Sequence, residues 1–374
     1  MMYLNYAAHE FFAWQAIVAV RSRFFHGVAG VMSLRLVVIA IQSSCPHPLR
    51  RIVLPQINKS NVTCVRYAGV RNSGPPPSPG SIRLWRRRPR ARILRRQLPI
   101  RSVSVPFWTC EQCGAQFPES DHPLPCCPVC EDDRQFVNWR GQRWLGRKEL
   151  AKSHKLGWRD DCGLVGIGVE PSFAIGQRAL LIPDGDGCVM WDCVPLVTAE
   201  AVDYVKALGG LRAIAVSHPH YYGAIADWSA AFGNIPVYLH RDDSQWITRP
   251  HASIVPWSGE THRLSDDLLL VRTGGHFAGA TIAHWRAGAD GRGALLTGDI
   301  ATVAMDRAHV SFMYSYPNYI PLNAASVRRI AAAVAPLAFD RIYGAWWGRN
   351  IEHAARAAFD ASVERYLAAI SGRD

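Results

Sequence analysis

The chain has 374 residues, 49% of them hydrophobic, and a formal net charge of +12; that length suits two domains or one large one. The positive balance is confined to one end: residues 1–105 hold 17 of the 42 Lys and Arg and a single acid, Glu10, leaving 25 basic and 29 acidic residues over 106–374. The overall charge is therefore no argument that the main part of the chain binds nucleic acid.

Residues 1–105 read as a basic, Pro- and Arg-rich tail. Two apolar runs, Phe11–Val20 and Val28–Ile41, fall short of a spanning helix, and Arg35 interrupts the second. Glu10 ahead of the first run and arginines after it do not suit a secretory signal. Gly74 to Gly80 carries four prolines, and the Arg-rich run Trp85–Arg96 follows. That density of proline and like charge opposes packing. A transit peptide and a basic tail touching nucleic acid or anionic lipid are competing readings. The expectation favoured here is a disordered tail, or a true start nearer Val105.

Residues 106–140 change character. Cys110-Glu111-Gln112-Cys113 and Cys127-Pro128-Val129-Cys130 form two Cys-x-x-Cys pairs separated by thirteen residues. The spacing matches a zinc ribbon or rubredoxin-like knuckle: two tight turns aim four thiolates at one ion and leave no position open for chemistry. The alternatives are disulfides or free thiols. Cys126 and His122 compete for a ligand place, and iron stays open beside zinc. A segment this short gains its folding energy from the ion. It also implies a reducing compartment, hence a cytoplasmic protein. Cys162, Cys188 and Cys193 lack ligand spacing and read as buried apolar residues.

From 141 onward strands and helices alternate. Ala179–Pro183 and Cys188–Asp192 flank the turn sequence Asp184-Gly185-Asp186-Gly187. Thr198 caps a helix through Leu208, which Gly209-Gly210 ends. Strands follow at Leu211–Val216, Ile235–His240, Leu268–Arg272, Thr281–Trp285 and Ala294–Thr297, the last two joined by a turn at Asp290-Gly291. Asn323 caps a helix through Ala335. Arg341–Trp346 is a strand and Glu352–Ile370 a helix. The class is α/β with antiparallel hairpins.

Chemistry-bearing residues sit at strand ends. Asp192 ends one strand, and His218-Pro219-His220 follows the next. His276 lies in Gly275-His276-Phe277, and Asp299 in Thr297-Gly298-Asp299. Two histidines at i, i+2 beyond a strand converge on one cation where the backbone is irregular, and Pro219 favours that. This ordered set resembles the metallo-β-lactamase fold superfamily over residues 141–374. The resemblance implies a four-layer αββα sandwich with a metal site at one edge. It also implies that His218, His220 and His276 bind the first metal, that Asp299 joins them, and that Asp192 stands behind the site and orients its ligands.

The departures from the family pattern are informative. In His-x-His-x-Asp-His the last two places are Tyr222 and Gly223 here, and Trp347 stands at the last histidine. Every ligand specific to a second metal is gone and every ligand of the first is kept. One catalytic zinc per chain is expected, with an open position for a water whose pKa it lowers toward about 7.

Tyr222 is assigned a hydrogen bond to a developing oxyanion, with plain packing as the alternative. Asp227 reads as a helix-surface or capping residue, with an unusual ligand role open to it. His284 reads as a packed strand residue and His353 as an exposed helix residue. Ser311–Tyr319, with three tyrosines, and Trp346-Trp347 suggest an aromatic pocket wall.

The expected function is hydrolysis of a small ester, thioester, lactone or amide, with a small molecule as partner and neither nucleic acid nor membrane. The alternatives are a nucleic-acid processing or binding protein using ribbon and tail, and a non-catalytic metal-binding descendant.

Overall fold

The computed structural model describes residues 107–372; the tail expected over 1–105 lies outside them. Two mixed sheets stand face to face. The first has seven strands, in the order Ile254–Trp257, Val237–His240, Leu211–Ala215, Gly187–Trp191, Arg178–Asp184, Leu164–Glu170 and Lys155–Asp161. The second has six: Thr261–Arg263, Leu268–Arg272, Thr281–Trp285, Ala294–Gly298, Arg341–Gly344 and Asn350–Ile351.

Side chains alternate across each strand, and that alternation makes the layers. Leu180, Ile182, Val189 and Trp191 of the first sheet join Leu268, Leu270, Leu296 and Tyr343 of the second in a core between the sheets. The intervening Ala179, Leu181 and Met190 pack outward with Val205, Ile225 and Trp228 of the helices Ala199–Ala207 and Ile225–Ala231. On the far side, Leu295 and Ile342 meet Val327, Ile330 and Phe359 of the helices Ala324–Val334 and Ala355–Ile370. The result is a four-layer αββα sandwich, the architecture that the resemblance implied. Each buried Leu or Ile contributes about 1.5–3 kcal/mol, so three apolar cores hold this part of the chain.

The caps explain the helix starts. Thr198 Oγ1 accepts from Ala201 N at 3.3 Å and Asn323 Oδ1 from Ser326 N at 2.9 Å. Three predicted elements shift. The turn at Asp290-Gly291 is a short helical turn, Gly288–Gly291, with Ala289 and Asp290 left-handed. The strand from Arg341 stops at Gly344. The last helix starts at Ala355 because Ile351 pairs with Ile342 and Asp340 Oδ1 holds Ala354 N at 2.7 Å.

The cysteine segment forms its own antiparallel sheet of Gln116–Phe117, Trp108–Cys110 and Trp144–Gly146. Its third strand lies past the division expected at 140/141, since Trp144 pairs with Cys110. Among the described residues no helix is long and apolar enough to cross a membrane.

Candidate metal centre

The strand Leu211–Ala215 delivers Ser217 and an extended His218 (φ −169°) to the sheet edge. Pro219 then opens a single 3-10 turn, Pro219–Tyr221, which swings the His220 ring to 5.0 Å from that of His218. From the second sheet, Gly274 and Gly275 take left-handed φ values of 63° and 91°, turning the chain so that His276 faces inward. Asp299 follows the strand Ala294–Gly298. Gly298 is required there, because a Cβ would stand 2.7 Å from Ser217 Oγ.

His218, His220, His276 and Asp299 thus each place a ligand atom within 4.8 Å of the other three. His218 Nε2 lies 3.0 Å from Asp299 Oδ1, and His276 Nε2 3.3 Å from His220 Nδ1. The four residues are 1%, 4%, 1% and 2% exposed. Their neighbours orient the rings. The Met313 carbonyl, 3.1 Å from His276 Nδ1, only accepts, so that nitrogen carries the proton and Nε2 keeps its lone pair. Ser217 Oγ holds His218 Nδ1 at 3.0 Å. His218 Nε2, His220 Nε2 and Asp299 Oδ1 are buried without a hydrogen-bond partner. Buried polar atoms are normally paired, and three imidazoles with one carboxylate are a donor set for a divalent transition metal. The residues fit the ion that the sequence implied.

The charges agree. Burial holds His218 and His220 well below the usual imidazole range and pushes His276 down to about 4, keeping the neutral, ligating form. Burial, helped by Asp192, pushes Asp299 up to about 8. A cation beside it would favour its ionised form. Asp192, itself pushed up to about 7 by burial, accepts from Ser217 N at 2.8 Å. It fixes the residue before His218.

The second cluster is Cys110, Cys113, Cys127 and Cys130, also within 4.8 Å of one another. Cys110 and Cys130 sulfurs are 3.6 Å apart, Cys113 and Cys127 3.7 Å, and all four residues are at most 2% exposed. The other three cysteines hold the Cys110 thiol well below its ordinary value, while Cys113 and Cys130 are pushed up. A cation's charge would let four thiolates share so small a space. Cys188 and Cys193 are buried, Cys162 half-buried.

The other singled-out residues scatter. Tyr222 enters the apolar core outside the first sheet. The phenol beside the cluster is that of Tyr221, 4.7 Å from the His218 ring, its hydroxyl buried without a partner. Asp227 pairs with Arg249 at 2.8 Å and Arg147 at 3.4 Å. His284 Nε2 donates to the Ala338 carbonyl at 2.7 Å, and His353 is exposed.

Trp347 lies over Gly166 and Gly168, where added Cβ atoms would stand 2.5 and 2.7 Å from its ring. Of the aromatic loop, Tyr316 reaches the centre, its ring 5.9 Å from His276 and 6.1 Å from Trp346, its hydroxyl donating to the Asp299 carbonyl. Tyr319 is exposed.

Two residues near the centre escaped the sequence reading. Asp243 Oδ1 accepts from Gly279 N at 2.8 Å, bracing the loop after His276. Arg134 donates from Nη1 to the His276 carbonyl at 3.3 Å. Neither belongs to a ligand motif; the one available signal was the Asp132-Asp133-Arg134 run right after the last cysteine pair.

No family model matches the chain. Over 270 residues, 71% of this chain and 98% of the relative, it is 43% identical to the uncharacterized protein YmaE of Bacillus subtilis (strain 168). Among solved structures it is similar to the metallo-β-lactamase FIM-1 of Pseudomonas aeruginosa in its mono-zinc form, at TM-score 0.43 and 15% identity over 59% of this chain and 97% of that one. It is also similar to the metallo-β-lactamase DIM-1, at TM-score 0.42 and 12% identity over 59% and 98%.

Proposed function

We propose, for a chain that belongs to one family with YmaE of Bacillus subtilis, a zinc-dependent hydrolase with a single catalytic ion, acting on a small ester, thioester, lactone or amide. The observation that supports this most is the convergence of His218, His220, His276 and Asp299 with buried, unspent donor atoms. Zinc held by these residues would polarise a substrate carbonyl and activate the attacking water. Asp299, with Oδ1 3.0 Å from His218 Nε2, would join the histidines on the ion or hold and orient that water. Asp192 keeps His218 in place through Ser217 N. Tyr316, edge-on to His276 and Trp346, lines the substrate side. Tyr222 is left with packing.

The cysteine cluster holds a second, structural ion, zinc or iron. Its thiols support a reducing, cytoplasmic setting. The net negative balance of 106–374 supports a small-molecule partner over nucleic acid.

Metal analysis tests the reading. Wild type is expected to carry about two metals per chain, and His276→Ala about one, with loss of turnover across an ester, thioester and lactone panel. Three metals in wild type would sink the single-centre reading.

A further inference from the structure

The cysteine knuckle touches both loops that carry the histidines. On one side, the turn after Cys113 brings the Gly114 carbonyl against Gly223, three residues past His220. A Cβ at 223 would stand 2.5 Å from that oxygen. The Gly223 backbone is not left-handed, so it is the carbonyl, not strain, that demands glycine there. Position 223, where the resemblance puts a ligand of a second metal, therefore has no room for a side chain beside the knuckle.

On the other side, Arg134 forms a fork with Asp132, at 2.5 Å from Nε and 2.7 Å from Nη2. Its guanidinium lies 3.9 Å over the Phe277 ring and donates to the His276 carbonyl. Beside it, Tyr314 donates to Asp133 Oδ1 at 2.7 Å, and Asn318 Nδ2 donates to the Asp133 and Gln135 carbonyls at 2.8 and 3.0 Å. Between these contacts all four candidate ligands are at most 4% exposed.

We propose that the knuckle is a cap on the catalytic cluster. Arg134 is its positioning residue on the His276 side and Gly223 its seat on the other. An ion enters or leaves the cluster when the cap lifts. The proposal rests on the reading of the cluster as a metal centre.

Full-length protein loaded with Co2+ tests it, because the two sites have separate absorption. Thiolate-to-cobalt charge transfer and low-energy d–d bands report the cysteines, and d–d bands at higher energy report the nitrogen and oxygen site. After EDTA is added, Arg134→Ala and Gly223→Ala are expected to lose the histidine-site bands about tenfold faster than wild type, within the range of changes to groups behind metal ligands. The charge-transfer bands should decay as in wild type, which also shows that the knuckle is folded. Arg134→Lys should fall between, keeping the charge and losing the fork. Unchanged release in both variants overturns the cap. So does parallel loss of both signals, which would make knuckle and cluster one unit. Wild type showing only the tetrathiolate bands is a different failure: it ends the metal reading itself, and the cap with it.

Discussion

Cys110 and Cys130 are twenty residues apart in the chain, His220 and His276 56. The first cluster is made by two tight turns on a three-stranded sheet with little core of its own. The second is made where strands of two large sheets end, behind three apolar cores. On the proposed reading, an ion in the knuckle would make the fold, whereas at the sandwich edge the fold makes the ion's site. Four sulfurs close a coordination sphere, whereas three imidazoles from separate loops leave a position that Asp299 or a water can fill.

The largest effect should come from striking the first plan. Cys113→Ser is expected to release residues 107–146 to protease and hydrogen exchange, while the main melting transition persists. Cooperative unfolding of the whole chain would break the contrast. The second plan answers differently. His218→Ala should abolish turnover beyond the roughly hundredfold reached by changes behind metal ligands and leave the melting temperature nearly unchanged. A collapse of the fold in that variant would make both sites structural. Asp192→Asn is milder: it keeps an acceptor for Ser217 N and loses the charge, so about 10–100-fold in metal affinity should go. Unaltered affinity would place Asp192 outside the site.

The same contrast explains what the sequence let one read. The knuckle was legible because its spacing is local. The histidine cluster was legible because each ligand follows an apolar strand in a fixed order, and because Pro219 breaks regular geometry where two rings must converge. Leu164–Glu170 was hard to see: Gly166 and Gly168 weaken its pattern, and their reason is Trp347, nearly two hundred residues on. Lys155–Asp161 is a charged edge strand, which suits an exposed edge and hides the alternation. Tyr222 was given chemistry on alignment alone, but the 3-10 turn rotates Tyr221 toward His218 and Tyr222 toward the core. Arg134 and Asp243 act on the backbone of the His276 loop, and backbone contacts leave no spacing rule to find.

Asp243 gives the finest test of a site that the fold, not the ion, maintains. It is 1% exposed, one oxygen takes Gly279 N, and the other is buried without a partner. Burial pushes its carboxyl up from 3.8 to about 6. The native state therefore binds this proton more tightly than the unfolded chain. Below the unfolded value both states are protonated and nothing is lost. As pH rises through the window between about 4 and about 6, stability falls, and above it the full penalty of roughly 2–3 kcal/mol remains. Asp243→Asn cannot titrate. Urea unfolding of the two proteins from pH 4 to pH 8 should show the wild-type curve losing that amount relative to the variant across this window and running parallel to it above. Parallel curves throughout would mean that the carboxylate is solvated or paired in solution, and that the loop behind His276 is held by something other than this buried acid.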